Sequence, residues 1–481
     1  MRPARAALAV CGALLAAAAA APSEPDLLAY LGGAGTDDCD GIALDRAGGL
    51  YLACHSDSPD FPGLPARPAA SSRNSMDAVV LKLDSRTGRL LWAVRTGGSD
   101  WDAAGDLAVA PDGAVFVLGS TRSPDFPTTP DAVQRRFAGP DRDAFLLQLD
   151  PRGRIVYSTL LGGSANDEAS SLALAPDGAV FVAGVTFSAD FPGIAARLGP
   201  GGKQDGFIAR LHPGDPASLR AVRIGGSGVD RISAIALDAS GALFASGYTS
   251  SPDFPVKNPL QRAFGGSIDA FLLRIRPSDW SPLFSTWLGG AKMDGAYGLA
   301  LDPSGNPVLS GVTESDDFPS TRGVFQPRRR GPVDAFVAKV AADGSRLLWS
   351  TYFGGSKTNS DRFEGGSLAV DRSGRVWFTG MTASPDLPLR DAFQPAYGGG
   401  DFDGFLAALS PDGARLCYAT YLGGAAHDIL EGLAVSDRMV YASGLTASTG
   451  LRQYKGGIQS GFGGGPFDAL VAGLAVPSSC R

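Results

Sequence analysis

Carboxylates recur along this chain at a regular spacing, and clustered carboxylates can bind cations. A Gly-Gly marker that follows a short, mostly apolar run occurs seven times, at intervals of 63 to 69 residues. In six copies an aspartate lies four positions after the second glycine, and these aspartates are Asp37, Asp102, Asp167, Asp230, Asp294 and Asp428. The sixth copy has Asn359 there.

Two interpretations of the repeated aspartates are open. Calcium prefers several oxygen ligands at one place, so five of them are candidate ligands for Ca²⁺: Asp37, Asp167, Asp230, Asp294 and Asp428. No other feature of the sequence indicates a cofactor. Alternatively, each carboxylate accepts backbone N–H groups within its own loop, which is typical of a residue that is repeated in every copy.

Single-copy residues near these aspartates are better candidates for a specific ligand. Trp101 lies between Asp100 and Asp102 in the loop before the second copy. A tryptophan beside carboxylates can stack on a sugar ring, and it can equally pack inside the protein. We therefore treat Trp101, Asp100 and Asp102 as candidate ligand-binding residues.

Basic residues and histidines are few. Arg328, Arg329 and Arg330 form a basic run in a loop of the fifth copy. Three guanidinium groups can hold an acidic ligand such as a uronate, or they can form a solvated surface patch. His427, which precedes Asp428, completes the candidate binding set. The other two histidines belong to other copies, so the sequence gives no indication of a shared metal site or a catalytic triad.

Catalytic motifs are absent from the sequence. It contains no His-Glu-x-x-His, Gly-x-Ser-x-Gly, Cys-x-x-Cys or complete phosphate loop, the patterns that position a metal, a nucleophile or a phosphate. No residue is therefore predicted to be catalytic.

Four cysteines remain once an N-terminal leader is removed, and export would permit disulfides. Cys39 and Cys54 lie at equal distances from the turn of a predicted hairpin, so they should face each other across its two strands. Cys417 lies in a predicted strand and Cys480 in the C-terminal tail. A disulfide between these two would hold the C-terminus, so both pairs are candidate disulfides.

The elements that must position these residues are short strands. After each Gly-Gly marker come an alternating apolar run, a tight turn such as Pro111-Asp112-Gly113, and a second apolar run. Asp-Gly between two such runs predicts a β-hairpin. A longer loop follows, which begins with Ser-Pro-Asp-Phe-Pro in three copies and with a variant that differs at one residue in three more. A third strand then opens with Asp-Ala-Phe or Asp-Gly-Phe in most copies, and a fourth strand leads to the next marker.

Four strands in each of seven copies predict an all-β fold, a seven-bladed β-propeller of four-stranded antiparallel blades. The first copy begins with a fourth strand at 27–31, and the last ends with a third strand at 468–474. The N-terminal strand should therefore complete the last blade and close the ring. The Gly-Gly and Ser-Pro-Asp-Phe-Pro loops would share one face, where binding is expected.

The series Gly-Gly…Asp…Asp-x-x-Gly…Gly-x-Thr…Ser-Pro-Asp-Phe-Pro…Asp-Ala-Phe resembles the repeat of the bacterial SBBP (seven-bladed β-propeller) family. The resemblance covers residues 26–476. It implies a secreted or surface-associated bacterial propeller, often one module of a larger extracellular protein. It implies no catalytic residues.

The N-terminal segment is typical of a secretory signal, because Arg2 and Arg5 precede an apolar, alanine-rich run and small residues lie before Pro22. We predict a signal peptide at 1–21, one propeller domain at 22–476 and a tail at 477–481; an uncleaved anchor is the alternative. No later segment is long and apolar enough to span a membrane. The expected location is secreted, periplasmic or on the cell surface.

These features favour a non-enzymatic binding or scaffold module, expected to be a monomer, for a glycan or protein ligand. A net charge of −7 argues against nucleic acid as a partner. The alternative is a secreted polysaccharide hydrolase or lyase with its site at the central opening. An enzyme should bring single-copy acidic, basic and arginine side chains together there, whereas a scaffold should show only the repeated aspartates.

Overall fold

The structure is a computed structural model that describes residues 25–66, 75–359, 367–451, 458–459 and 461–476. In these residues 29 strands form seven sheets, one for each blade. The predicted signal peptide and C-terminal tail lie outside the described residues.

The blades follow one another along the chain, and we number strands in chain order. Blade one contains β2 (Asp37–Leu44), β3 (Gly49–Ser56), β4 (Asp77–Asp84) and β5 (Leu90–Thr96). Blade two contains β6 (Asp102–Val109), β7 (Val115–Thr121), β8 (Asp143–Leu149) and β9 (Ile155–Leu161). Blade three contains β10 (Asp167–Leu174), β11 (Val180–Thr186), β12 (Ile194–Leu198), β13 (Asp205–His212) and β14 (Asp215–Ile224).

Blades four to seven follow the same plan. Blade four contains β15 (Asp230–Leu237), β16 (Leu243–Thr249), β17 (Asp269–Arg276) and β18 (Ser281–Leu288). Blade five contains β19 (Asp294–Leu301), β20 (Pro307–Thr313), β21 (Asp334–Val340) and β22 (Leu347–Phe353). Blade six contains β23 (Leu368–Val370), β24 (Val376–Thr382), β25 (Asp403–Leu409) and β26 (Leu416–Leu422). Blade seven contains β27 (Asp428–Val435), β28 (Met439–Thr446), β29 (Asp468–Ala475) and β1 (Leu27–Leu31).

The first strands of the seven blades form the innermost ring. Strands β2, β6, β10, β15, β19, β23 and β27 each contact the next in this order, and β27 contacts β2. Successive strands of a blade then extend outward as antiparallel neighbours. Side chains of these first strands are therefore the ones that can reach the central channel.

The N-terminal strand closes the ring as predicted. β1 pairs antiparallel with β29, from Leu27 opposite Gly473 to Leu31 opposite Ala469. Blade seven is thus built from both ends of the described chain and has four strands. The predicted seven-bladed propeller is confirmed.

Blade three departs from the four-stranded plan. Its loop between the second and third strands contributes β12, which pairs parallel with the outermost strand β14. The sequence analysis did not predict this strand, because the segment lacks a clear alternation of apolar and polar residues.

The core lies between the blades, where apolar side chains alternate along each strand. The phenylalanine of the Ser-Pro-Asp-Phe-Pro loop packs against one end of this core. Phe126 is buried and its ring stacks on Phe145, with 4.6 Å between ring centroids. Phe254 and Phe271 repeat this contact at 4.6 Å in blade four.

One predicted disulfide is confirmed. Cys39 and Cys54 are bonded across β2 and β3, with their Cα atoms 3.9 Å apart. Cys417 is also disulfide-bonded, but Cys480 lies outside the described residues, so pairing between these two stays a prediction. Within the described part of the chain, no helix could cross a membrane.

Candidate functional site

The repeated aspartates begin the innermost strands, and each holds loops together. We call Asp37, Asp102, Asp167, Asp230, Asp294 and Asp428 the clamp aspartates; all six are fully buried. The Asp230 carboxylate accepts hydrogen bonds from Thr249 Oγ1 at 2.5 Å, Ser251 Oγ at 2.8 Å and the Gly226 N–H at 2.8 Å. It therefore joins the Gly-Gly loop to the end of the second strand.

A second carboxylate faces each clamp aspartate from the third strand of the preceding blade. At the boundary of blades one and two, a Cβ on Gly97 would lie 2.5 Å from Asp77 Oδ1 and 2.7 Å from Asp102 Oδ2. Only glycine lets the backbone pass between the two carboxylates. The Gly-Gly marker is therefore a consequence of this close approach.

Burial and like charge act together on these carboxylates. Burial, together with the charge of the nearby Asp428, raises the pKa of Asp403 to about 7. Burial likewise raises the pKa of Asp102 to about 6. At the boundary of blades five and six, Asn359 replaces the clamp aspartate and donates a hydrogen bond from Nδ2 to Asp334 Oδ1 at 3.0 Å. Binding of Ca²⁺ by clamp aspartates stays a prediction.

Three residues of each blade boundary form a ring at the end of the inner strands, which we call the channel rim. Two backbone hydrogen bonds hold these residues at each boundary. The N–H of the clamp-position residue donates to the carbonyl oxygen of the residue before the third strand, and the N–H of the residue after the second strand donates to the carbonyl oxygen of the residue before the clamp position. The residues before the clamp position are Thr36, Trp101, Asn166, Val229, Met293, Thr358 and His427. Those after the second strand are Asp57, Arg122, Phe187, Ser250, Glu314, Ala383 and Ala447. Those before the third strand are Met76, Arg142, Gln204, Ile268, Val333, Phe402 and Phe467.

Trp101 lies on this rim beside two arginines. The guanidinium carbon of Arg142 is 4.9 Å from the Trp101 ring centroid, and that of Arg122 is 5.7 Å from it. Asp100 caps its own loop, because its Oδ1 accepts the Trp101 N–H at 2.7 Å. Asp102 is a buried clamp. Asp100 is exposed and Trp101 is half-buried, and ligand binding by these three residues stays a prediction.

Arg142 belongs to an ion-pair network that crosses three blades. Arg142 Nη1 lies 2.7 Å from Glu168 Oε1, and Arg231 Nη1 lies 2.9 Å from Glu168 Oε2. Arg231 Nη2 also donates to Ser170 Oγ at 3.1 Å. Arg122 pairs with Asp141 at 3.5 Å. Sequence reasoning missed Arg122, Arg142, Glu168 and Arg231, although each stands at a position that varies between otherwise similar copies.

His427 occupies the rim position of blade seven that Trp101 occupies in blade two. Its ring meets Phe402 and Phe467 edge-on, with centroids 5.6 and 5.9 Å away. Histidine and tryptophan are therefore at equivalent places on the rim, in blades separated by blade one.

The arginine run of blade five is mostly engaged by neighbouring aspartates. Arg329 Nη2 lies 2.7 Å from Asp316 Oδ1, and only 10% of its side chain is exposed. Arg330 Nη2 lies 3.2 Å from Asp386 Oδ2. Arg328 is exposed. The Arg329 contact lies within the long loop of blade five, and the Arg330 contact ties that loop to blade six.

The first two strands of blade one bring together three side chains that can ligate a metal ion. His55 Nε2 lies 3.9 Å from Asp38 Oδ2, and His55 Nδ1 lies 3.7 Å from Asp40 Oδ2. Burial lowers the pKa of His55 to about 4, against the opposing charge of Asp57. The sequence analysis separated the three histidines correctly but did not bring His55 together with these aspartates, because a bulge in β2 decides where Asp40 points.

The opposite face is not featureless. A groove of about 1110 Å³ lies between the turns of blades three and four, with Arg210, Arg220 and Arg276 in its lining. Asp177 and Asp279 pair with two of these arginines. The groove lies beside the extended outer strands of blade three and away from the candidate residues.

Comparison with known proteins does not assign the chain to a family. No family model matches the chain, so membership of the SBBP family stays a prediction. Regulatory protein FlaEY of Caulobacter vibrioides is 25% identical over 323 residues, which are 64% of this chain and 33% of that protein. The aligned region thus spans about a third of that relative.

Several solved structures cover most of the chain at low identity. BamB from Moraxella catarrhalis is 14% identical with a TM-score of 0.36, covering 91% of this chain and 85% of its own. The Pan2 WD40 domain of Neurospora crassa is 7% identical with a TM-score of 0.42, covering 93% and 91%. The polysaccharide lyase Uly1 is 9% identical with a TM-score of 0.43, covering 95% and 98%.

Proposed function

We propose that the protein is an exported, non-enzymatic binding module that holds an acidic glycan across the channel rim beside Trp101. The observation that carries this proposal is the contact of Trp101 with Arg122 and Arg142. An aromatic ring offers a flat apolar surface to a sugar. Adjacent guanidinium groups offer paired donors to its carboxylate.

The charge of the cluster supports an anionic ligand. Arg122 pairs with Asp141, whereas Arg142 and Arg231 share the single carboxylate of Glu168, so three guanidinium groups are paired with two carboxylates. The chain as a whole carries a net charge of −7. A local excess of positive charge on an acidic protein distinguishes this part of the rim and favours carboxylate-bearing sugars over neutral ones.

Apolar side chains continue the surface into blades three and four. Phe187 is 41% exposed and Val229 is 38% exposed, and both are rim residues. An exposed apolar patch rimmed by polar residues provides a contact surface for a ligand. We infer that they contact the apolar faces of further sugar units.

Titration calorimetry with oligosaccharides of equal length tests the proposal. We expect a uronate oligosaccharide to bind and a neutral glucan oligosaccharide to bind at least about tenfold more weakly, which corresponds to about 1.4 kcal/mol. Trp101→Ala and Arg142→Ala should each weaken uronate binding by about tenfold or more, whereas Thr358→Ala at the equivalent rim position of blade six should not. Equal affinity of all three variants would contradict the proposal.

A lyase acting on the same acidic polysaccharides is the second candidate. The convergence of Arg142, Glu168 and Arg231 on the inner ring favours it, because an enzyme should bring single-copy acidic and arginine side chains together there. Against it, both carboxylate oxygens of Glu168 already accept hydrogen bonds from guanidinium groups, whereas a general base must contact the proton that it abstracts. Release of an ultraviolet-absorbing unsaturated uronate that Glu168→Gln abolishes would favour the lyase.

Export is part of the proposal. The Cys39–Cys54 disulfide is typical of proteins that reside outside the cytoplasm. Expression of the full chain with fractionation tests this, with N-terminal sequencing of the mature protein expected to begin near residue 22.

A further inference from the structure

We propose that the first two strands of blade one hold a divalent transition-metal ion, represented by Zn²⁺, on Asp38 and Asp40 of β2 and on His55 of β3. This inference does not depend on the glycan proposal. One ligand atom from each of the three residues lies within 4.8 Å of the other two. Nitrogen and carboxylate ligands of zinc lie about 2.0–2.2 Å from the ion, so the side chains need to close inward by about 1 Å.

A β-bulge creates this arrangement. The register of β2 and β3 shifts between Asp38, which is opposite His55, and Gly41, which is opposite Ala53. Cys39 and Asp40 therefore share the space opposite Cys54. Bulges re-aim side chains next to functional sites, and here the extra residue lets both carboxylates approach one imidazole.

The ligand set indicates the class of ion. An imidazole nitrogen suits zinc and other transition metals, whereas calcium and magnesium take oxygen ligands almost alone. Three protein ligands on a partly accessible wall leave coordination positions for water or for an anionic ligand, as in open zinc sites. His55 is 16% exposed and Asp40 32% exposed as side chains, so the ion can enter from solvent.

A hydrogen bond and a disulfide restrict the movement of the ligands. Asp38 Oδ1 accepts the Cys39 N–H at 2.7 Å, which leaves its Oδ2 toward His55. The Cys39–Cys54 disulfide joins the two strands immediately beside Asp38, Asp40 and His55. A cross-link at this point reduces relative movement of the strands that carry the ligands.

The arrangement occurs in one blade. Among the described residues, the strand-two partners equivalent to His55 in blades two to five and seven are Ser120, Val185, Tyr248, Val312 and Leu445. The inner-strand bulge residues equivalent to Asp40 in the same blades are Gly105, Ser170, Ser233, Tyr297 and Glu431. A structural role common to all blades therefore does not account for the three ligands.

Zinc titration of the purified full chain tests the inference. We expect calorimetry to show one Zn²⁺ per chain, with His55→Ala and Asp40→Asn each weakening the affinity by at least about 10- to 100-fold. His212→Ala is the matched control, because it removes an imidazole from the opposite face and should leave the affinity within about twofold. Ca²⁺ should not compete with Zn²⁺ at equal concentration.

A second measurement avoids variants that fail to fold. In the wild-type chain, which has three histidines, imidazole NMR resonances of one histidine should shift on stoichiometric Zn²⁺ and recover with EDTA. Assignment of that histidine as His55 supports the site. Absence of stoichiometric binding, unchanged affinity in His55→Ala, or shifts confined to His212 or His427 would overturn it.

Discussion

Adjacent residues on the inner strands behave in opposite ways. Asp230 is fully buried and binds the loops of its own blade boundary, whereas the next residue, Arg231, leaves 28% of its side chain exposed and pairs with Glu168. Asp167 and Glu168 show the same contrast one blade earlier. Successive side chains of a strand point to opposite sides, so one position can build the blade while its neighbour faces the channel.

The contrast separates the residues that build every blade from the residues that differ between blades. The clamp position is Asp or Asn in every blade, and its neighbour in the described blades is Asp38, Ala103, Glu168, Arg231, Gly295 or Ile429. Repetition thus marks the contacts that every blade boundary needs. Variation marks the positions where one blade differs from another and where a ligand can be recognised.

The largest effect should come from breaking a clamp. Asp230→Ala removes the acceptor for two hydroxyl groups and one backbone N–H, so we expect the free energy of unfolding to fall by about 3 kcal/mol. Urea denaturation followed by circular dichroism measures it. Ser233→Ala, three residues along the same strand, should change it by less than about 0.5 kcal/mol. Similar losses of unfolding free energy in both variants would show that the clamp position is no more important for stability than its neighbours.

The disulfide should contribute somewhat less. Replacing both Cys39 and Cys54 with Ala opens a cross-link of 15 residues, and we expect a loss of about 2–3 kcal/mol in the same urea experiment. The variant should also bind Zn²⁺ more weakly, because the strands that carry Asp38, Asp40 and His55 are no longer linked. Unchanged zinc affinity would limit the disulfide to a stabilising role.

Acidification should stabilise the propeller by a smaller amount. The folded-state pKa of Asp403 is about 7 and that of Asp102 about 6, above the ordinary 3.8, so the folded chain binds more protons between about pH 4 and 7. We expect the unfolding free energy to rise by about 1–2 kcal/mol from about pH 8 to 5.5. Asp403→Asn should flatten this slope. A steady loss of stability over that range would refute the assignment of buried, protonatable carboxylates at the blade boundaries.

The smallest effect on stability should come from the ion-pair network. Arg231→Ala removes a partly exposed pair, and Glu168 keeps its bond to Arg142, so the unfolding free energy should change by about 1 kcal/mol or less. Uronate affinity should nevertheless fall by several-fold. A large loss of stability without a change in uronate affinity would show that Arg231, like the clamp aspartates, has a structural role.

The sequence alone was sufficient for the fold and insufficient for the site. The Gly-Gly spacing, the Asp-Gly turns and the unpaired N-terminal strand predict the blades and their closure, because these signals are local and repeated seven times. The network of Arg142, Glu168 and Arg231 could not be predicted, because it joins residues from three blades. His55 and Asp40 meet through a bulge, which the strand pattern does not reveal.

Backbone hydrogen exchange with and without a uronate oligosaccharide tests the central claim most directly. If single-copy rim residues bind the ligand, exchange should slow in the segments around Trp101, Arg122 and Arg142 and in the start of β15, with the clamp regions of blades five to seven unchanged. Slowed exchange confined to the groove of the opposite face, or no change at saturating ligand, would contradict the account.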